Sequence, residues 1–225
     1  MKNFLKMILG MIFYTALLMW LFFIIPGNWS WLPGWIFIIL FLGMIVCSVI
    51  PLLKNKKLMA ERRKLPFQKG QNITDKILIS LVFIFFLGWL VIMPLDSQKF
   101  EWTSTFPVWL VILGIIGYII GDVLMYLVFK QNTFLIPVVK KQEGQKVVTT
   151  GVYSIIRHPM YFSIVLILFG GALLLSSLIG IYVSIAMTVV FYIRAITEEK
   201  LMLKELDGYE EYKKKVKYRI VPFLF

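Results

Sequence analysis

His158, the one histidine of the chain, sits in the stretch GQKVVTTGVYSIIRHPMY at Gly144–Tyr161. Around it, Tyr153, Arg157 and Tyr161 supply two phenols and a guanidinium. Together these groups offer hydrogen-bond donors to a carboxylate and aromatic faces to a cation. Proline disfavours helical geometry in the residue before it but suits the first helical position. His158 is therefore expected at the N-terminal lip of a helix, where free N–H groups and the helix dipole favour an anionic or electron-rich ligand group. A second polar cluster follows at Arg194–Glu199, RAITEE. Arg194 and Glu198 lie one turn apart on one helix face. Taken alone they would be a helical ion pair worth about 0.2–0.5 kcal/mol. Next to an apolar span they point to a function or a partner, because a charge left unpaired in a membrane costs roughly 3 kcal/mol. Glu199 falls on another face and reads as solvated.

The elements that carry these clusters are apolar. Of the 225 residues, 60% are hydrophobic and 16% charged, and the mean hydropathy is +0.83. That composition indicates an all-α, multi-pass integral membrane protein. Apolar runs are expected at Phe4–Ile25, Gly34–Leu53, Ile77–Leu95 and Phe106–Phe129. Two shorter runs, Pro159–Leu175 and Leu178–Ile196, form a hairpin through Ser176-Ser177. The first run is too long for a signal peptide and lacks a cleavage site, so it is retained. About six helices result, four spans plus the C-terminal hairpin, followed by an amphipathic tail from Glu198 and an extended end at Tyr218–Phe225. Neither repeats nor a linker divide the chain, so residues 1–225 form one membrane domain. Residues 1–129 supply N-terminal helices, and residues 130–225 supply the chemistry.

Charge sets the topology. The loop at 54–76 carries Lys54, Lys56, Lys57, Arg62, Arg63, Lys64, Lys69 and Lys76, and the loop at 130–157 carries Lys130, Lys140, Lys141, Lys146 and Arg157. The connections at 26–33 and 96–105 are nearly neutral. The positive-inside rule then puts both termini and both polar clusters in the cytoplasm. The net charge of +12 fits basic loops facing anionic lipid headgroups. Nucleic-acid binding is not expected, because aromatic residues do not interleave with the lysines. One histidine and one cysteine far apart exclude a metal site. Cys47, inside an apolar run, reads as a small hydrophobe. Asp122 is the acid set deepest in an apolar run and reads either as a functional carboxylate or, the favoured reading, as an acid paired with a basic residue or a backbone donor. Gly114, Gly117 and Gly121 have the spacing that lets helices approach closely.

Three stretches together carry a family resemblance: EGQKVVTTGVYSIIRHPMY (Glu143–Tyr161), RAITEEKLMLKEL (Arg194–Leu206) and GYEEYKKKVKYRIVP (Gly208–Pro222). They resemble the isoprenylcysteine carboxyl methyltransferase family, part of a wider set of membrane methyltransferases that includes phospholipid N-methyltransferases. The combination of GxYxxxRHPxY with a downstream RxxxEE is the specific part, and the likeness covers the chain from about Gln131 onward. It implies S-adenosylmethionine as methyl donor, held by the polar loop and hairpin. By match to the family's motifs, Gln145, Lys146, Val147, Val148, Tyr153, His158, Pro159, Met160 and Tyr161 would bind the cofactor. Glu198 would contact it as well, and Arg194 would lie near the acceptor and the transferring methyl. The tail would close over the cofactor, with Tyr209 and Tyr212 packing there.

A sulfonium donor is already activated, so the protein must mainly align the acceptor with the methyl and exclude water. Arg194 could hold a carboxylate through paired hydrogen bonds while Glu198 balances the cationic donor. An amine acceptor would need a base, and Glu198 or His158 could serve. The leading expectation is methylation of a hydrophobic or lipid-linked acceptor entering from the bilayer, most like isoprenylcysteine carboxyl O-methylation. The rivals are a phospholipid or other amine N-methyltransferase, a non-catalytic transporter or assembly subunit, and a nicotinamide-dependent membrane reductase. Lysine- and isoleucine-rich usage points to a bacterial cell membrane.

Overall fold

The computed structural model describes residues 2–53, 67, 71–136, 138, 142 and 144–223, with side chains from residue 9 onward except 47, 52 and 53. The basic stretch 54–66, Lys69, Lys140–Lys141 and the Cys47 side chain lie outside that description. Among the described residues every regular element is a helix: α1 (Lys2–Met19), α2 (Leu32–Leu53), α3 (Ile73–Pro94), α4 (Val108–Gln131), α5 (Pro159–Leu174), α6 (Leu178–Glu205) and α7 (Tyr209–Lys215). Both α1 and α3 run on into a π-helical turn, at Trp20–Ile24 and Leu95–Lys99.

Among the described residues, four helices are long and apolar enough to cross a membrane: Leu32–Pro51, Ile73–Lys99, Val108–Gln131 and Leu178–Glu205. The protein is accordingly a multi-pass membrane protein. One expectation needs correcting. The last helix does not end at Ile196 but continues to Glu205, so the hairpin joins a short helix to a 28-residue one. RAITEEK has no glycine or proline to stop it, and its residues are mostly good helix formers. The amphipathic tail therefore begins later and is short, with Gly208 in the left-handed conformation (φ +78°) ahead of α7.

Aromatic side chains fill the interior. Phe37 of α2 stacks on Phe22 at 5.1 Å and meets Trp89 of α3 and Tyr118 of α4. All four are fully buried. Trp89 donates its indole N–H to Ser184 Oγ of α6 at 3.0 Å. Ile84, Ile112, Ile116 and Val189 point outward, as expected where the solvent is lipid.

The closest approach is between α4 and α5. A Cβ added at Gly114 would lie 2.5 Å from Leu174 N, and one at Gly170 would lie 2.6 Å from Tyr118 N. One at Gly121 would stand 2.8 Å from Ile167 Cγ1. Glycines let the two backbones touch, which agrees with the spacing read from the sequence. This seam sets the C-terminus of α4 beside the N-terminus of α5, where the polar clusters meet.

The opposite end is fastened separately. Asp96 is fully buried and accepts from Ser177 Oγ at 2.6 Å, Ile179 N at 3.2 Å and Thr103 N at 3.0 Å. Thr103 Oγ1 accepts from Leu178 N at 3.1 Å. A carboxylate on the first free N–H groups of α6 is favoured by the helix dipole.

Candidate active site

The loop after α4 is organised from both sides. Gln131 Oε1 accepts from Val152 N at 3.0 Å, and Asn132 Nδ2 donates to the Tyr153 hydroxyl at 2.9 Å. Gly151 has φ +61°, and the Gln131 amide occupies the space a Cβ would need there, so no larger residue fits this turn. His158 is the N-cap of α5 and Pro159 its first residue, at the helix lip expected from the sequence. The imidazole stacks flat on Tyr161, with centroids 5.3 Å apart and planes within 3°.

The tail is laced onto this loop. Ile156 and Tyr218 form a parallel bridge. Arg157 N donates to Tyr218 O at 3.0 Å and His158 N to Arg219 O at 2.8 Å. Arg157 Nη1 reaches Val216 O and Lys217 O at 2.7 and 2.6 Å. The Tyr212 hydroxyl donates to Tyr153 O at 2.7 Å. Burial pushes the phenols of Tyr153, Tyr209 and Tyr212 above the usual tyrosine range, with Arg157 pulling Tyr212 partly back. They remain neutral phenols at neutral pH.

At the centre stands Glu199, expected to be solvated and in fact 2% exposed. Its Oε1 lies 2.7 Å from Arg157 Nε, 3.2 Å from Arg219 Nε and 3.3 Å from His158 Nε2. Its Oε2 accepts from Arg219 Nη2 at 3.2 Å. Continuation of α6 through residue 199 turns this acid toward the loop and the returning tail. Glu198 lies on the neighbouring face, where its Oε2 accepts from the Tyr161 hydroxyl at 2.8 Å and is 3.7 Å from His158 Nδ1.

A cavity of about 550 Å³ opens between loop, α6 and tail. All of Gln145, Lys146, Val147, Val148, Tyr153, His158, Pro159, Met160, Tyr161 and Glu198 line it, joined by Asn132, Met202, Tyr209 and Tyr212. The lining suits a sulfonium nucleoside: aromatic faces, a lysine and backbone edge for polar groups, and the Glu198 carboxylate against positive charge.

A second cavity of about 590 Å³ adjoins the first and shares Asn132, Leu135, Gln145, Met160, Tyr161, Glu198, Met202 and Leu206 with it. Arg194 lines this second space, with Phe134, Ile136, Val138 and Leu201 giving it an apolar wall. The structure thus puts Arg194 on the second cavity, Glu198 where the two cavities meet, and the other nine residues around the first cavity. Asp122 is half-buried, and its Oδ1 has no hydrogen-bond partner among the described residues, so the expected pairing is not found there. No cluster of three His, Cys, Asp or Glu among the described residues could hold a metal ion.

Two contributors escaped the sequence. Arg219, six residues from the end, grips Glu199 and the Tyr192 hydroxyl. Asp75, which the sequence places beside a basic loop, lies inside the first turn of α3, fully buried, 3.2 Å from Arg194 Nε. Its signal is Asn72, whose side chain caps α3 by accepting from Thr74 N at 2.9 Å and so moves the helix start ahead of Asp75.

No curated protein sequence matches the chain. Residues 109–208, spanning α4 to the start of the tail and most of both cavities, match the phospholipid methyltransferase family, within the wider group of membrane methyltransferases.

Proposed function

We propose that the protein transfers a methyl group from S-adenosylmethionine to a hydrophobic or lipid-linked acceptor. In this reading the first cavity takes the donor and the second the acceptor, and residues 130–225 carry the chemistry in a frame built by residues 1–129. The observation that carries it is the shared boundary, where Met160, Tyr161 and Glu198 line both cavities. Two ligands meeting there would react across that line, which is the proximity that in-line displacement requires. When bound, the sulfonium supplies an activated methyl, whose carbon–sulfur bond breaks with its electrons left on sulfur as the acceptor's lone pair bonds to carbon. The protein's part is positional. Glu198 balances positive charge at the boundary, Tyr161 holds that carboxylate, and the tail keeps water from the first cavity.

An acceptor carboxylate would find its partner in Arg194, as in isoprenylcysteine carboxyl methylation. A phospholipid amine is favoured by the family match and by Glu198, a carboxylate able to take an ammonium proton. The basic loops support a cytoplasmic site with both termini on that side, and the lysine- and isoleucine-rich usage supports a bacterial membrane.

The test is calorimetry of S-adenosylmethionine and S-adenosylhomocysteine with detergent-purified protein, beside His158→Ala. Saturable binding, weakened at least tenfold by the substitution, is expected. A folded protein that binds neither compound would sink the reading.

A further inference from the structure

Arg194 is fixed from outside its own cluster. It belongs to α6, lines the second cavity and is 8% exposed. Its Nε meets Asp75 Oδ1 of α3 at 3.2 Å. Asp75 is 0% exposed and accepts at Oδ2 from Gln71 Nε2 at 2.6 Å. Both ends of this chain of contacts are anchored. Asn72 caps the first turn of α3, and α3 is held against α6 by the Trp89–Ser184 hydrogen bond.

We propose that Asp75 is a positioning residue for the transfer reaction, acting on the acceptor through Arg194. The proposal rests on the methyltransferase reading and names a part of that site outside the matched residues 109–208.

Two physical consequences follow from the contact. Nε is the guanidinium nitrogen nearest the α6 backbone, so the buried anion beside it holds the guanidinium by charge at the wall of the second cavity. An oriented planar fork recognises a polar head with little loss of freedom on binding. Asp75 also supplies the negative charge that a buried guanidinium requires. Without it Arg194 would swing toward another anion, and Glu198, one turn along and at the boundary of both cavities, is the nearest on its own face. Acceptor alignment would then be lost while the first cavity stays intact. Misplacement by about 1 Å is enough to cost roughly a hundredfold in rate.

The experiment compares the full-length protein with Asp75→Asn, Asp75→Glu, Arg194→Ala and the double variant Asp75→Asn/Arg194→Ala. Donor binding is read by calorimetry with S-adenosylhomocysteine. Transfer is read with methyl-labelled S-adenosylmethionine on two probes, an S-prenylated N-acetylcysteine and phosphatidylethanolamine vesicles. In Asp75→Asn, donor affinity is expected to stay within about threefold, while kcat/KM for the methylated probe falls at least tenfold. Asp75→Glu should recover part of that loss, and the double variant should be no worse than Arg194→Ala alone, since coupled residues are not additive. If Asp75→Asn fails to fold, Asp75→Glu, which keeps the charge, carries the test through the same split between donor affinity and kcat/KM. A folded Asp75 variant with unchanged transfer, a loss that multiplies with that of Arg194→Ala, or an equal loss of donor affinity would overturn the proposal alone. A folded wild type that binds no donor or methylates neither probe would overturn the underlying reading, and the proposal with it.

Discussion

Arg157 Nε donates to Glu199 Oε1 at 2.7 Å, with both side chains almost wholly buried. This contact joins the loop before α5 to the end of α6, and the same guanidinium holds the tail through two carbonyls. Removing one member of a buried pair leaves the other charge uncompensated, at about 3–5 kcal/mol. Glu199→Ala is therefore expected to free the tail and weaken donor binding at least tenfold. Limited proteolysis after Lys213–Lys217 and calorimetry check it, and a tail as protected as in the wild type would refute it.

The tail should also loosen in alkali. An unfolded tyrosine ionises near pH 10, whereas burial keeps the protons on Tyr153 and Tyr212 to higher pH. Their stabilisation is complete below about pH 10. It is lost as the pH climbs from there toward the raised values, because the unfolded chain releases protons that the folded chain retains. Tyr212→Phe, which deletes the hydrogen bond to Tyr153 O, should cost about 1 kcal/mol at neutral pH and flatten this alkaline slope. Tail cleavage measured from about pH 8 to 11 reads both effects.

The seam between α4 and α5 tolerates no added bulk. Gly170→Val is expected to lower stability by about 1–3 kcal/mol, since overpacking forces backbones apart, and to weaken donor binding by separating Asn132 from Tyr153. Thermal unfolding in detergent gives the first quantity. Gly117→Ala, whose Cβ would find only ordinary contacts near 3.9 Å, should be nearly neutral.

At the far end, Asp96→Asn is expected to destabilise by about 1.5–3 kcal/mol, the range for hydrogen bonds to a charged group. Donor affinity should not change, because none of the hydrogen-bond partners described for Asp96 lines either cavity. A change in affinity at unchanged stability would mean that the two ends are coupled in a way the packing does not suggest.

Much of this architecture is legible in the amino-acid order. Apolar runs locate the helix starts to within a few residues, because membrane spans must satisfy their own backbone. Pro159 fixes the start of α5, and the glycine spacing in α4 marks a close contact. Acid partners are harder to read. Which of two adjacent glutamates turns inward depends on where the tail returns, and nothing local to Glu198-Glu199 encodes Arg219, twenty positions on. Asp75 is obscured for a related reason. Among many lysines it reads as a loop acid, and only the Asn72 cap and the lie of α3 against α6 reveal a buried anion. The end of α6 lies beyond its apolar run because charge ends the lipid contact and leaves the helix free to continue.

The lacing of the tail also dictates an order of birth. A nascent chain emerges from its N-terminus, so Arg157 and His158 are made well before Glu199 and earlier still than Arg219, Val216 and Lys217. While α6 is still being synthesised, the first cavity has its loop wall alone, and Arg157 has neither its carboxylate nor its carbonyls. The first cavity can therefore gain its tail wall only once synthesis has passed Arg219, and products that stop short of Val216 would be threaded through the membrane with Arg157 lacking both of its tail carbonyls.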